Sequence, residues 1–247
     1  MNKISTILTI GFILIISCFN GMAQKKVGLD YIEEYYKNQS LDSCVVPFYD
    51  STRNVEQIIL IRHGQPDVSR KGWKNREEAI IFTEVYDSVG VLSFKPMPLC
   101  PENLRTDSVY YSNIPRARNT AERIFEDRYD MIEDARFREF ERKIMCFFNV
   151  KMPLSVWLTT SRILWLLGFN DKGIENFKEA KHRAKENAVY LEKKAEEQRL
   201  VILVAHGWHN KYVAKYLRKR GWEQVRKGGS KYTAMNILAR EIEEVDN

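Results

Sequence analysis

Two apolar runs that each end in His-Gly constrain this chain more than any other feature. Val55–Gly64 reads VEQIILIRHG, with Ile58, Ile59, Leu60 and Ile61 following one another without a polar break. A β-branched and aliphatic run with no alternation is the pattern of a strand covered on both faces, as in a parallel sheet with helices on either side. Leu200–Gly207, LVILVAHG, repeats it. Two of the four histidines therefore stand at the carboxyl end of a buried strand, where open α/β sheets bind ligands. Either one alone reads as well as a hydrogen-bonded core histidine; the two together point to a site.

The segments around these runs supply the other layers. Glu77–Tyr86 has a helical tendency, and the KPMPLCPEN loop is too rich in proline for a regular element. Asp107–Ser112 (DSVYYS) reads as a short strand, followed by a helix over Pro115–Asp127 with its proline in the first turn. Met131–Phe137 reads as a further strand. Leu154–Phe169 is apolar and aromatic, but it is interrupted by Arg162 and too short for a membrane span, which makes it a buried or lid helix. Ile174–Gln198 is amphipathic: Ile174, Phe177, Ala184, Ala188, Leu191 and Ala195 form one face, and Lys181, Arg183, Lys185, Glu192 and Lys193 a solvated one. A helix over Asn210–Arg220, a Gly228–Ser230 turn and a strand near Thr233–Arg240 complete the order. The expected fold is α/β, a three-layer α/β/α sandwich with a mostly parallel central sheet, over residues 55–247. Its helical insertion, about residues 140–198, lies over the active site. Ile58–Ile61 and Val201–Val204 are expected as neighbouring central strands, being too apolar for an edge. Residues 24–54 form an N-terminal arm.

The first 23 residues have the layout of a secretory signal peptide: Lys3, an apolar stretch over Ile4–Ile16, and Gly21-Met22-Ala23 before a cleavage point at Gln24. A second reading takes Ile15-Ile16-Ser17-Cys18 as a bacterial lipobox, with a lipid on Cys18 as the only membrane attachment. Both readings export the mature protein, to the periplasm or beyond it. Cys44, Cys100 and Cys146 remain after cleavage at Ala23, enough for one disulfide; Cys44–Cys100 is the expected pair, since both lie in polar, turn-rich segments. The net charge of +6 favours anionic partners. The lysines and arginines are spread rather than clustered, so nucleic acid is not indicated.

Strand ends and the start of the Pro115 helix bring together Arg62, His63, Arg116 and His206. Four such groups without an obvious carboxylate among them repel one another, and a bound dianion relieves this most simply. The arginine fork matches phosphate oxygens, and a neutral imidazole is a competent nucleophile toward phosphorus. The histidines are not grouped at metal-ligand spacing, and arginines beside them repel a cation, so no metal and no cofactor is expected.

Arg62-His63-Gly64 after a buried strand resembles the signature of the histidine phosphatase (phosphoglycerate mutase-like) superfamily. Ser112-Asn113-Ile114-Pro115-Arg116-Ala117-Arg118-Asn119-Thr120-Ala121 is similar to its S-x-x-x-R-A-x-x-T-A segment, Phe137-Arg138-Glu139 to its L-R-E segment, and Val204-Ala205-His206-Gly207 to its second histidine. Gly173-Ile174-Glu175-Asn176 and the long helix resemble the family helix before that strand. The likeness runs in family order from about Val55 to Arg240. It implies that His63 is the nucleophile that becomes phosphohistidine. Arg62, Arg116 and His206 would bind the phosphoryl oxygens, and Glu139 would protonate the leaving group of a small phosphorylated substrate. Glu141 and Asp67 are rivals for the acid, and Glu139 reads alternatively as a surface charge paired with Arg138 or Arg142. Arg118, His182 and His209 are expected to face solvent, and Lys211 is only a lesser candidate for the pocket border. The chain departs from the commoner pattern at Gln65-Pro66-Asp67, and it lacks the usual glycine a few residues after the acid, in ERKIMCFF. Metal-independent phosphomonoester hydrolysis is the leading reading. The alternatives are phosphoglycerate mutase-type transfer and a non-catalytic envelope protein that binds an anion or a partner.

Overall fold

Alternate side chains of the two apolar runs go to opposite faces of one sheet, as the two-residue period of a strand requires. The computed structural model describes residues 29–39, 44–50, 54–95, 97–102, 104–145 and 149–242. In chain order the elements are α1 (residues 29–37), β1 (Val55–Arg62), β2 (Trp73–Lys74), α2 (Arg76–Ser88), β3 (Ser108–Ser112), α3 (Pro115–Phe125) and β4 (Asp130–Asp134). A 3₁₀ turn (Ala135–Phe137), β5 (Met152–Pro153), α4 (Leu154–Leu166), α5 (Phe177–Gln198), β6 (Leu200–Ala205), α6 (Gly207–Arg218), β7 (Glu223–Arg226) and β8 (Met235–Glu241) follow.

The main sheet has the order β4-β3-β6-β1-β8-β7. β4, β3, β6 and β1 are parallel, and β8 runs antiparallel to both of its neighbours. β1 and β6 pair directly, Ile58 opposite Val201 and Ile61 opposite Val204, in the interior of the sheet as their composition demands. Ile59, Ile61, Ile202 and Val204 face Leu29, Ile32 and Tyr36 of α1 and Ala121, Ile124 and Phe125 of α3. Ile58, Leu60, Val201 and Leu203 face the alanines of α5 together with Val213 and Leu217 of α6. The protein is thus an α/β/α sandwich with a mostly parallel sheet. A third cluster joins Ala79 and Phe82 of α2 to Leu154, Trp157 and Leu158 of α4, and the indole N–H of Trp157 donates to the carbonyl of Lys74 at 2.8 Å. Among the described residues no helix is long and apolar enough to cross a membrane.

Several local expectations change on contact with the tertiary structure. The arm before β1 is part of the core: Tyr36 is 2% exposed, accepts the Phe48 N–H at 3.0 Å and donates to the amide oxygen of Gln57. The Met131–Phe137 strand stops at Asp134 and tightens into the 3₁₀ turn. β7, EQVR, has no apolar alternation, so nothing in its sequence marks it as a strand. Glu192 is not on a solvated face: it is 4% exposed and accepts from Arg220, from Arg240 at 2.6 Å and from Trp222 at 3.2 Å. Arg183 is likewise engaged, in an ion pair with Glu175 at 2.7 Å. Cys44 and Cys100 form the expected disulfide, with Cα atoms 4.9 Å apart. Cys146, Cys18 and the first 23 residues lie outside the described residues.

Candidate active site

β1 ends at Arg62, but its ladder continues for one more residue. The His63 N–H donates to the Ala205 carbonyl at 2.9 Å, and the Thr233 N–H donates to the His63 carbonyl at 3.3 Å. With the main chain held on both sides, the ring of His63 is 2% exposed, and its Nδ1 lies 2.7 Å from the Gly64 carbonyl. A carbonyl only accepts, so Nδ1 carries the proton and Nε2 keeps its lone pair. Burial first, then the charges of Arg116 and Arg62, hold the imidazole well below its usual value, against the pull of that hydrogen bond. His63 is neutral, and the lone pair of its Nε2 is not taken up by the Gly64 contact.

His206 occupies the N-cap of α6, fully buried, with its ring centroid 5.1 Å from that of His63. Its Nε2 lies 2.8 Å from the Ser112 hydroxyl, which itself accepts the Ile114 N–H at 3.3 Å; its Nδ1 is buried with no partner. Burial, and next the charge of Arg116, push its pKa well down.

Arg116 follows Pro115 in the first turn of α3 and is 2% exposed. It donates to the Tyr86 carbonyl at 2.9 Å and to Asp87 at 2.8 Å, so the quartet does have one carboxylate neighbour. Thr120, one turn on, donates to the Arg116 carbonyl at 2.6 Å and accepts the Gly64 N–H at 2.8 Å, which ties α3 to the turn after His63. Arg62 donates to the Ser230 carbonyl and lies 4.4 Å from the ring centroid of Tyr232. A Cβ on Gly207 would stand 3.3 Å from Arg62 Nε, so the glycine of the second His-Gly makes room for the arginine of the first. Arg62 Nε and Arg116 Nε, like His206 Nδ1, are buried without a partner. An unsatisfied buried donor costs about 1–3 kcal/mol. Unpaired donors beside a free imidazole nitrogen are the complement of a phosphoryl oxyanion.

Glu139 faces the same cavity of about 780 Å³ as Arg62, His63 and Arg116. One carboxylate oxygen accepts the N–H groups of Phe140 at 2.9 Å and His209 at 3.1 Å, and the other accepts that of Trp208 at 3.3 Å. The side chain therefore covers the first turn of α6, where negative charge is favourable. It is no surface ion pair. Glu141 also lines the cavity, but it is occupied by the Glu175 N–H at 2.8 Å and faces Arg138 at 3.5 Å. Asp67 is exposed and lines a separate depression with Gly90 and Asn119. Lys211, a lesser candidate by sequence, does border the main cavity, and Arg118 and His182 are exposed, as expected, and pair with Glu133 and Glu186. His209 corrects the expectation of a solvent-facing residue. It is fully buried, its Nε2 is 2.9 Å from the Asn187 amide nitrogen, and burial and then Arg183 push its pKa down to about 3.

The model of the histidine phosphatase superfamily, branch 1, matches residues 58–245. The chain belongs to that superfamily. Membership supports phosphoryl transfer or phosphate-ester hydrolysis as the chemistry of the site, by phosphatase or mutase activity. Among solved structures, the chain is similar to a mycobacterial glucosyl-3-phosphoglycerate phosphatase at 18% identity, covering 75% of this chain and 90% of that one, with a TM-score of 0.47. It is also similar to phosphoglycerate mutase from Bacillus anthracis (14% identity, 76% and 89% covered, TM-score 0.47). Phosphoserine phosphatase from Entamoeba histolytica is a third (14% identity, 76% and 95% covered, TM-score 0.44). No curated protein sequence matches the chain.

The histidine phosphatase motifs do not account for the whole cavity. Tyr86, Arg142, Arg162 and Trp208 also line it. Arg162 had a visible signal, being the one charge inside LSVWLTTSRILWLL. The other three had none.

Proposed function

We propose that the protein hydrolyses phosphomonoesters through a phosphohistidine on His63, without a metal ion. What carries this reading is the free Nε2 of a neutral His63 beside the unpartnered nitrogens of Arg62, Arg116 and His206. The two guanidinium groups and the His206 donor hold the transferring phosphoryl oxygens, and the arginines offset the charge that spreads over them. The hydroxyl proton of Ser112 is read as pointing at His206 Nε2, which leaves Nδ1–H as the donor to phosphate. In the first step His63 Nε2 bonds to phosphorus as the ester P–O bond breaks, and Glu139 gives its proton to the departing alkoxide. In the second step Glu139 takes a proton from water, the hydroxide bonds to phosphorus, and the P–N electron pair returns to Nε2. Inorganic phosphate leaves.

Among the described residues no three His, Cys, Asp or Glu side chains group as metal ligands, and the charge-stabilising role falls to the arginines. The test is p-nitrophenyl phosphate hydrolysis with chelator present, beside H63A. Turnover that survives chelation and is abolished in H63A is expected, with acid-labile phosphohistidine trapped on the native chain only. Activity lost to chelator and restored by zinc or magnesium overturns the mechanism. Label appearing on an added alcohol rather than as inorganic phosphate turns the reading to mutase-type transfer.

The Cys44–Cys100 disulfide supports an exported enzyme, since such bonds persist in oxidising compartments. Mass spectrometry of the protein from its native host should find Gln24 as the first residue. A diacylglyceryl group on Cys18 would instead establish the lipobox, and an intact Met1 in a cytoplasmic pool would remove both.

A further inference from the structure

Each arginine read as a phosphate ligand lies against a tyrosine ring. The guanidinium carbon of Arg62 is 4.4 Å from the ring centroid of Tyr232, and that of Arg116 is 4.7 Å from the ring centroid of Tyr86. Tyr86 comes from the last turn of α2 and Tyr232 from the loop between β7 and β8; neither belongs to the segments that carry the family likeness. A cation held over a ring face keeps its N–H donors for other partners, and the Nε of each arginine is buried without one. The Tyr232 ring also packs on the imidazole of His63, at a centroid distance of 5.7 Å.

The two tyrosines meet at their hydroxyls. The Tyr232 oxygen accepts from the Tyr86 hydroxyl and from the Arg70 guanidinium, and Arg70 in turn lies 5.8 Å from the Tyr86 ring centroid. Burial raises the Tyr232 hydroxyl, but these hydrogen bonds and the charges of Arg70 and Arg62 outweigh it and leave the group below the usual tyrosine value. The main chain beside Tyr232 is strained. Thr233 has a φ of 58°, a left-handed conformation that a β-branched residue rarely adopts. Its N–H donates to the His63 carbonyl at 3.3 Å and its hydroxyl to the Tyr232 carbonyl at 2.6 Å. Strain of this kind persists only where the surroundings fix it, and it gathers at functional sites.

Arg62 and Arg116 carry like charges and are tied at separate places, Arg62 to the Ser230 carbonyl and Arg116 to Asp87 and the Tyr86 carbonyl. The contact between Tyr232 and Tyr86 links those two anchors. We propose that Tyr232 and Tyr86 are positioning residues: their hydroxyl contact braces Arg62 and Arg116 at the spacing that grips one phosphoryl group, while the Tyr232 ring steadies His63. This rests on the reading of His63, Arg62 and Arg116 as the phosphoryl site. Neither tyrosine takes part in bond making. Because a displacement of about 1 Å can cost on the order of 10²-fold in rate, a brace that acts through the arginines shows in both binding and turnover.

Y86F, Y232F and the double variant are to be made in the full chain, with circular dichroism and Tm to check folding. Calorimetry with inorganic phosphate reads the grip without turnover, and p-nitrophenyl phosphate reads kcat. Y86F removes the donor of the contact and Y232F the acceptor, and both keep the rings on the arginines. Each should weaken phosphate binding about 3–10-fold, the size of one hydrogen bond, and lower kcat by a similar factor. The double variant should be no weaker than the worse single one, because the second substitution finds the contact already broken. Losses that multiply in the double variant overturn the brace, as does a lowered Tm with phosphate affinity and kcat unchanged. If the native chain hydrolyses the ester and all three variants match it, the brace falls and the His63 mechanism stands. A non-additive loss of phosphate affinity in a chain that hydrolyses no ester keeps the brace and removes the hydrolysis reading.

Discussion

His63, His206 and His209 are buried among arginines and kept neutral by burial first and by those charges second. A histidine with a depressed folded-state pKa is protonated earlier in the unfolded chain. The stability it permits is complete above its ordinary value of 6.5 and is lost as pH falls toward the folded value. For His209 the window runs from 6.5 down to about 3, at about 1.4 kcal/mol per pH unit. Urea unfolding at pH 7.5, 6 and 5 should therefore show stability falling on the acid side, with a shallower fall in H209Q; an equal slope in both proteins contradicts the burial argument. For activity, the acid limb of kcat/KM that reports His63 should lie well below pH 6.5. Glu139 is separable by leaving group. E139Q should cost on the order of 10²–10⁴-fold on an alkyl phosphate and far less on p-nitrophenyl phosphate, whose alcohol needs little protonation. If alkyl phosphate turnover survives E139Q unchanged, Glu141 becomes the acid to test, since it shares the cavity and Asp67 does not.

At the scale of elements, α5 is the helix whose sequence and packing agree most closely. Asn176 caps it, accepting the N–H groups of Lys178 and Glu179, and Glu179 returns the bond to the Asn176 N–H at 2.9 Å. Ala180, Ala184, Ala188 and Ala195 are fully buried against the sheet and α6, so the helix approaches closely because its inner face is small. Ala188→Leu should then cost about 1–3 kcal/mol by overpacking. Val189→Leu, at a position 41% exposed, should stay within about 0.5 kcal/mol. Paired urea denaturation curves check the contrast, and similar losses at both positions would mean that the inner face tolerates volume.

For the whole molecule, the disulfide joins the segment before β1 to the loop before β3, a separation of 56 residues. Closing a loop of that size restricts the unfolded chain, and C44S/C100S should lower stability by about 2–5 kcal/mol. Inorganic phosphate should stabilise the protein by filling the site between Arg62, Arg116 and His206. Tm should climb with phosphate concentration, as binding to the folded state alone requires, and the climb should be absent in R116Q. A rise of equal size in R116Q would place the anion elsewhere.

Local composition settled what local physics controls. An unbroken Ile58–Ile61 or Val201–Val204 run is covered on both faces in any fold that holds it, so the central pair and the two His-Gly ends were legible from residues alone. Pro115 opens α3 because proline suits a first helical turn, and the cysteine pair followed from the few thiols in turn-rich segments. Charged and polar residues were a different matter. Glu192 reads as solvated by helical spacing, and it is buried because Arg220, Trp222 and Arg240 arrive from later in the chain to meet it. His209 sits in a polar helix and is buried by Asn187 and Phe137, which α5 and the turn after β4 bring across. Arg142 and Arg162 become neighbours only when α4 folds back over the residues after Glu139. Periodicity reports that a face is covered but not by what, and the cost of burying a charge depends on the partner, which only the tertiary structure supplies.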